Sequence, residues 1–87
     1  SEDVSIYKMT SEDAAYKFPN QLIDICFIDA NHEYEEVKKD INLWLPKVKP
    51  GGILAGHDID FPGVWRAVNE CLPEFYVNNR CWIYRKP

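Results

Sequence analysis

The stretch IDICFIDANHEY, Ile23–Tyr34, decides how this chain is read. Its first six residues are apolar apart from Asp24, the composition of a strand covered on both faces in a parallel sheet. The run then stops at an acid, Asp29, followed by Ala30, Asn31 and His32. A charge placed where core gives way to surface is costly unless it has a partner or a task.

Downstream, Tyr34, Val37, Ile41, Leu45 and Val48 recur at helical spacing with Trp44 beside them, so a helix is expected there. Pro46 bends or ends it, and Pro50-Gly51-Gly52 marks a turn. Ile53-Leu54-Ala55 reads as a second short strand, ending in Gly56-His57-Asp58. Phe61-Pro62-Gly63 interrupts the chain before VWRAVNECL, a helix expected to bury Val64, Ala67, Val68 and Cys71. FYVNNRCWIY then reads as a hairpin, with Asn78-Asn79 supplying the left-handed residues of a two-residue turn. Upstream, VSIYKM, residues 4–9, alternates like a strand. Thr10-Ser11-Glu12-Asp13 supplies a hydroxyl cap and early acids for a brief helix, AAYKF, which Pro19-Asn20 stops. Strand, helix, strand, helix, strand, helix, hairpin is an α/β layout with a parallel core. One domain is expected over residues 1–87, without internal repeats.

Composition narrows the function. An 87-residue chain buries only about 60–65% of its unfolded surface, so its core is modest. Hydrophobic content of 46% with 28% charged residues is globular rather than disordered. A net charge of −4 and a pI near 5.0 disfavour a nucleic-acid surface, which carries a basic excess. No apolar run approaches the roughly 18 residues of a membrane span, and no basic segment precedes an apolar one. A soluble, cytoplasmic protein is expected. Cys26, Cys71 and Cys81 are odd in number and lack CxxC spacing, which suits reduced, mostly buried thiols. A start at Ser1 is compatible with a short gene product and equally with a piece of a longer one.

In open parallel sheets, ligands gather outside the carboxyl ends of the strands. Two strands here end with related chemistry: Asp29-Ala30-Asn31-His32 and Gly56-His57-Asp58. Side by side, they would bring Asp29, His57 and Asp58 into one crevice, with Asn31 and His32 near and Gly56 admitting a ligand closely. Such donors suit a divalent ion, and a histidine there suits proton removal from a hydroxyl. Plainer readings stand beside these. Asp29 also suits a helix cap, His32-Glu33 a solvated helix start, His57-Asp58 a turn pair, and Asp60 loop solvation.

The motif string DICFIDANHEYEEVKKDINLWLPKVKPGGILAGHDIDFPGVWRAVNE resembles the C-terminal half of class I S-adenosylmethionine-dependent methyltransferases. The likeness is to the branch reading F-I-D-G-D-H-x-Y, then L-x-P-G-G, then a strand ending in H-D. Macrocin-type sugar O-methyltransferases belong to it, and metal-dependent catechol-type enzymes are related. The resemblance covers about Val4 to Arg85. It implies a truncated Rossmann-like sheet, about three parallel strands plus a C-terminal antiparallel hairpin, flanked by helices. It also implies S-adenosylmethionine as cofactor, a divalent metal such as Mg²⁺ on Asp29 and Asp58, and a small-molecule acceptor. His32 and His57 match candidate-base positions. Thr10 and Ser11 match the loop flanking the adenine, and Asp29 and Ala30 the cofactor-side strand end. Asn31 stands where the family more often has Asp.

The chain departs from the family in lacking its first two strands, the glycine-rich loop and the ribose-binding acid. It holds four glycines, Gly51, Gly52, Gly56 and Gly63, and none forms a nucleoside cradle. The resemblance therefore implies a half-domain inactive alone, or one completed by a partner or an upstream segment. The alternative is a non-enzymatic binding or oligomerisation module. In the family's sheet the missing strands separate the third from the fourth, so their loss leaves an edge beside Ile23–Ile28. Either residues 4–9 move inward to pair with it through a right-handed crossover, the preferred arrangement, or two copies join edge to edge as a homodimer.

Overall fold

The computed structural model describes residues 6–9, 19–28 and 32–87, the first four by backbone alone. Its elements are β1 (Ile6–Met9), β2 (Ile23–Ile28), α1 (Tyr34–Trp44), a 3₁₀ turn (Leu45–Lys47), β3 (Val48–Gly56), α2 (Pro62–Cys71), β4 (Tyr76–Asn78) and β5 (Cys81–Arg85). The five strands form one sheet in the order β1-β2-β3-β5-β4. β1, β2 and β3 run parallel, and β5 and β4 add an antiparallel hairpin. This is the expected truncated α/β sheet, and β1 lies directly beside β2, the preferred of the two arrangements. The cap and helix expected over residues 10–18 lie outside the described residues.

Pairing assigns the faces. Cys26 stands opposite Leu54, Leu54 opposite Tyr84, and Gly56 opposite Trp82, so these share one side of the pleat. That side carries the core: Val37, Ile41 and Trp44 of α1 and Val64, Ala67 and Val68 of α2 pack with Cys26, Leu54, Trp82 and Tyr84. On the other side Ile25, Phe27, Ile53 and Ile83 are half-buried. Coverage on both faces, expected for β2, is thus full on one face only among the described residues. The two helices are also cross-linked at their outer seam. Tyr34 donates to Glu70 at 2.8 Å, and the Arg66 guanidinium lies 4.0 Å from the Tyr34 ring centroid.

Three local readings are corrected. Val48 does not extend the helix; it opens β3 opposite Ile23. Pro46 within the 3₁₀ turn ends the α-helical ladder, and a fully buried strand position serves Val48 as well as a helical one. Pro50-Gly51-Gly52 is not a break before a strand but an expansion within β3. Ile23 pairs with Val48 and Ile25 with Ile53, so three extra residues loop out of the ladder. Gly51 takes φ +84° there, and Gly51 and Gly52 exchange backbone hydrogen bonds with Lys86 at 2.7 and 2.9 Å. Pro62 and Gly63 do not interrupt the chain; they begin α2, with Pro at the first turn where its missing N–H costs nothing.

The hairpin turn is shifted by one residue. Asn78 pairs with Cys81, so the turn is Asn79-Arg80, both left-handed at φ +49° and +66°. This register puts Trp82 and Tyr84 in the core at 1% and 8% exposure. A one-residue slip would turn both outward. Burying a large aromatic is worth about 2–3 kcal/mol, more than the preference for Asn over Arg at one turn position. All three cysteines are free thiols, but the burial expected of most of them holds for Cys26 alone: Cys71, expected on the core side of its helix, and Cys81 are half-buried.

Candidate functional site

β3 ends at Gly56, and Asp58 follows in the left-handed region at φ +60°, which Asp tolerates better than most residues. That backbone turn presents its carboxylate to two partners. His32 Nε2 donates to Asp58 Oδ2 at 2.7 Å, and Arg80 Nη2 donates to Oδ1 at 3.2 Å. Arg80 Nε also donates to Asp60 Oδ1 at 3.0 Å. The hydrogen bond from Arg80 holds the Asp60 carboxyl below its ordinary range. Asp60 is therefore ion-paired rather than merely solvated. The backbone ties the same segments together, since Ile59 N–H donates to the Arg80 carbonyl at 3.0 Å.

His32 is seated from below as well. Its ring stacks on Phe61 with centroids 3.9 Å apart and planes 17° from parallel. A Cβ on Gly63 would run into the His32 carbonyl and come within 2.9 Å of the Tyr34 nitrogen. The bare glycine is what lets the first turn of α2 abut the segment before α1. With Nε2–H given to Asp58, the lone pair of neutral His32 sits on Nδ1. The His32 side chain is 47% exposed and that of Asp58 32%, so solvent or a ligand reaches the pair.

His57 belongs elsewhere. Its ring meets Phe27 edge-on at 4.7 Å, on the half-buried side of the sheet, and Cys81 Sγ lies 3.5 Å from its Nδ1. The structure brings His32 and Asp58 together and leaves His57 outside that pair. Gly56 does not open a path for a ligand: a Cβ there would meet the Trp82 ring at 2.6 Å, so core packing uses the space. Thr10, Ser11, Asp29, Ala30 and Asn31 lie outside the described residues. Two grooves, of about 520 and 300 Å³, both include Gly51, toward the opposite end of β3 from Asp58.

Arg80, Phe61 and Gly63 were not singled out from sequence for this site. The signal for Arg80 was the alternation Trp82, Tyr84, which sets the turn register and so places Arg80 at its tip. Nothing local announces Phe61 or Gly63, whose roles exist only once α2 packs beside His32.

Two comparisons bear on this arrangement. A family described as "Methyltransferase domain" matches residues 1–59. The chain belongs to this family. An alignment 65 positions long, covering 70% of the chain, is 28% identical to "Uncharacterized protein y4gI" of Sinorhizobium fredii, and it covers 7% of that protein. The matched part of the methyltransferase domain contains β1, β2, α1, β3, His32, His57 and Asp58; Arg80 lies beyond it.

Membership of a methyltransferase family implies S-adenosylmethionine as methyl donor. The described residues of this domain do not fit a whole cofactor. None of the four glycines stands in a glycine-rich loop, and Gly56 and Gly63 are taken up by internal packing. A divalent ion fits the described donors no better. No group of three His, Cys, Asp or Glu side chains suited to a metal occurs among them, and both oxygens of Asp58 already accept hydrogen bonds. No helix among the described residues is long and apolar enough to cross a membrane.

Proposed function

We propose that this methyltransferase domain supplies the acceptor side of an S-adenosylmethionine-dependent O-methyltransferase site, and that a partner or an upstream segment supplies the donor side. The single observation that carries this reading is the 2.7 Å hydrogen bond between His32 Nε2 and Asp58 Oδ2. It fixes the imidazole with Nδ1 able to take a proton from an acceptor hydroxyl, while the carboxylate stabilises the imidazolium that results. A positioned base of this kind contributes about 10²–10⁴-fold to rate. S-adenosylmethionine, once bound by a completed site, supplies the methyl group. Alone, the chain offers half a pocket, and methyl transfer needs donor and acceptor aligned at near-contact distance. The free thiols suit the cytoplasmic setting that belongs to this reading.

Calorimetric titration with S-adenosylmethionine tests the incomplete-site reading: no saturable binding is expected from this chain, and micromolar binding would overturn it. Methyl transfer from labelled donor to phenolic and sugar hydroxyls is expected only when a glycine-rich strand–loop–helix is supplied, in cis or by a second chain. Absence of transfer under every such pairing would remove the enzymatic reading. One observation favours the alternative, an interaction module: edge strand β4 exposes Tyr76 and Val77 at 68% and 53%. A stable homodimer in light scattering that Tyr76→Lys dissolves would support it.

A further inference from the structure

We propose that Arg80 holds the place beside Asp58 that the resemblance gives to a divalent cation, so that a guanidinium, not a metal, sets the carboxylate–imidazole pair of this chain. The inference rests on the acceptor-side reading for its purpose, but not for its geometry. Arg80 reaches Asp58 Oδ1 with Nη2 and Asp60 Oδ1 with Nε, one cation spread over two carboxylates. Its planar fork suits such a bridge, and it keeps its charge at every relevant pH. To admit a cation at Asp58, Arg80 would have to leave, abandoning both pairs. If it stayed, a doubly charged ion bound to the same carboxylate would sit within a few ångströms of a fixed positive charge and be repelled.

The backbone shows that Arg80 is built into this position. It occupies a left-handed conformation at the tip of the hairpin, costly for a residue with a Cβ. The facing residue, Asp58, is left-handed as well. Such backbone persists where the surroundings over-determine it. Here the ties are the hairpin register that buries Trp82 and Tyr84, the two ion pairs and the hydrogen bond from Ile59 to the Arg80 carbonyl. Among the described residues, the groups around Asp58 are His32 from the segment before α1, Asp60 from its own loop and Arg80 from the hairpin.

The test is Mn²⁺ titration of the 87-residue chain, followed by paramagnetic broadening of backbone amide signals. Arg80→Gly deletes the guanidinium while giving the turn an Asn-Gly pair, the sequence best suited to two left-handed residues, so the hairpin is expected to survive. In the wild type, no saturable broadening centred on Ile59 and Asp60 is expected up to about 1 mM Mn²⁺. In Arg80→Gly, saturable broadening there is expected, at least about tenfold tighter than in the wild type, and removed by adding Asp58→Asn. Should Arg80→Gly fail to fold, Arg80→Gln carries the same expectation. A saturable wild-type site that Asp58→Asn abolishes would overturn the proposal, as would an Arg80 variant that binds no tighter than wild type. Loss of the methyl-transfer reading would leave this result standing, and a wild-type Mn²⁺ site would leave the methyl-transfer reading standing.

Discussion

His32 and His57 start alike and finish differently. Each follows a strand of the parallel core within a few residues, and each neighbours an acid in sequence. His32 acquires a carboxylate partner 26 residues away, an aromatic platform and a glycine that makes room for its backbone. His57 acquires a thiol and the edge of a phenyl ring. An imidazole's setting is thus fixed by which elements converge on it: the loop after β3 and the start of α2 converge on His32, whereas the hairpin reaches His57 through Cys81.

The sharpest way to break this comparison is to remove each imidazole in a chain completed with a glycine-rich half. His32→Ala is expected to lower methyl transfer by about 10²–10⁴-fold, and His57→Ala by less than about threefold, measured as kcat at saturating acceptor. Equal losses would erase the distinction. Next in size is the packing beneath the hairpin. Trp82→Ala removes a side chain only 1% exposed and is expected to cost about 3–5 kcal/mol in urea unfolding. Gly63→Ala comes third: its Cβ collides with the His32 carbonyl, for about 1–3 kcal/mol. Because that strain falls on the His32 side, His32 ring signals should shift while those of His57 stay put.

Smaller effects sharpen the same contrast. Cys26, whose thiol burial pushes up to about 12, should resist iodoacetamide at pH 8 until the chain unfolds. Cys81, half-buried beside His57, should be alkylated first, as mass spectrometry of the peptides will show. The smallest effect concerns Asp60. Its carboxyl is held below the ordinary range by the hydrogen bond from Arg80. The stability it contributes is therefore present above the unfolded value, about 3.9, and lost as pH falls through the lower folded one. Asp60→Asn should remove a small part of the acid limb of a urea-midpoint profile and leave neutral pH nearly unchanged.

What could be read from the sequence followed local rules. Ile23–Ile28 was legible to the residue because an apolar run bounded by polar residues has few other uses. The parallel core followed from alternating strands and helices, and β1 took its place because an apolar edge seeks a partner. What escaped was decided at a distance. Val48 fits a helical repeat and a strand equally well, and only Ile23 across the sheet settles it. The turn residues pointed to Asn78-Asn79 until the burial of Trp82 and Tyr84 overruled them. The site was half legible: the acid and histidines stood out at strand ends, but the choice of His32 over His57 came from Phe61 and Gly63. Arg80, 22 residues beyond Asp58, carries no local mark of its role.

The interior position of β5 bears on how the chain is made. Synthesis delivers β4 before β5, yet β5 lies between β3 and β4. Until it emerges, β3 on the nascent polypeptide presents an open ladder of backbone donors and acceptors over an apolar surface. Such edges are where growing chains stick to one another. A chain that holds β3 but lacks β5 is therefore the species most prone to self-association, and truncation shortly before residue 81 should raise aggregation.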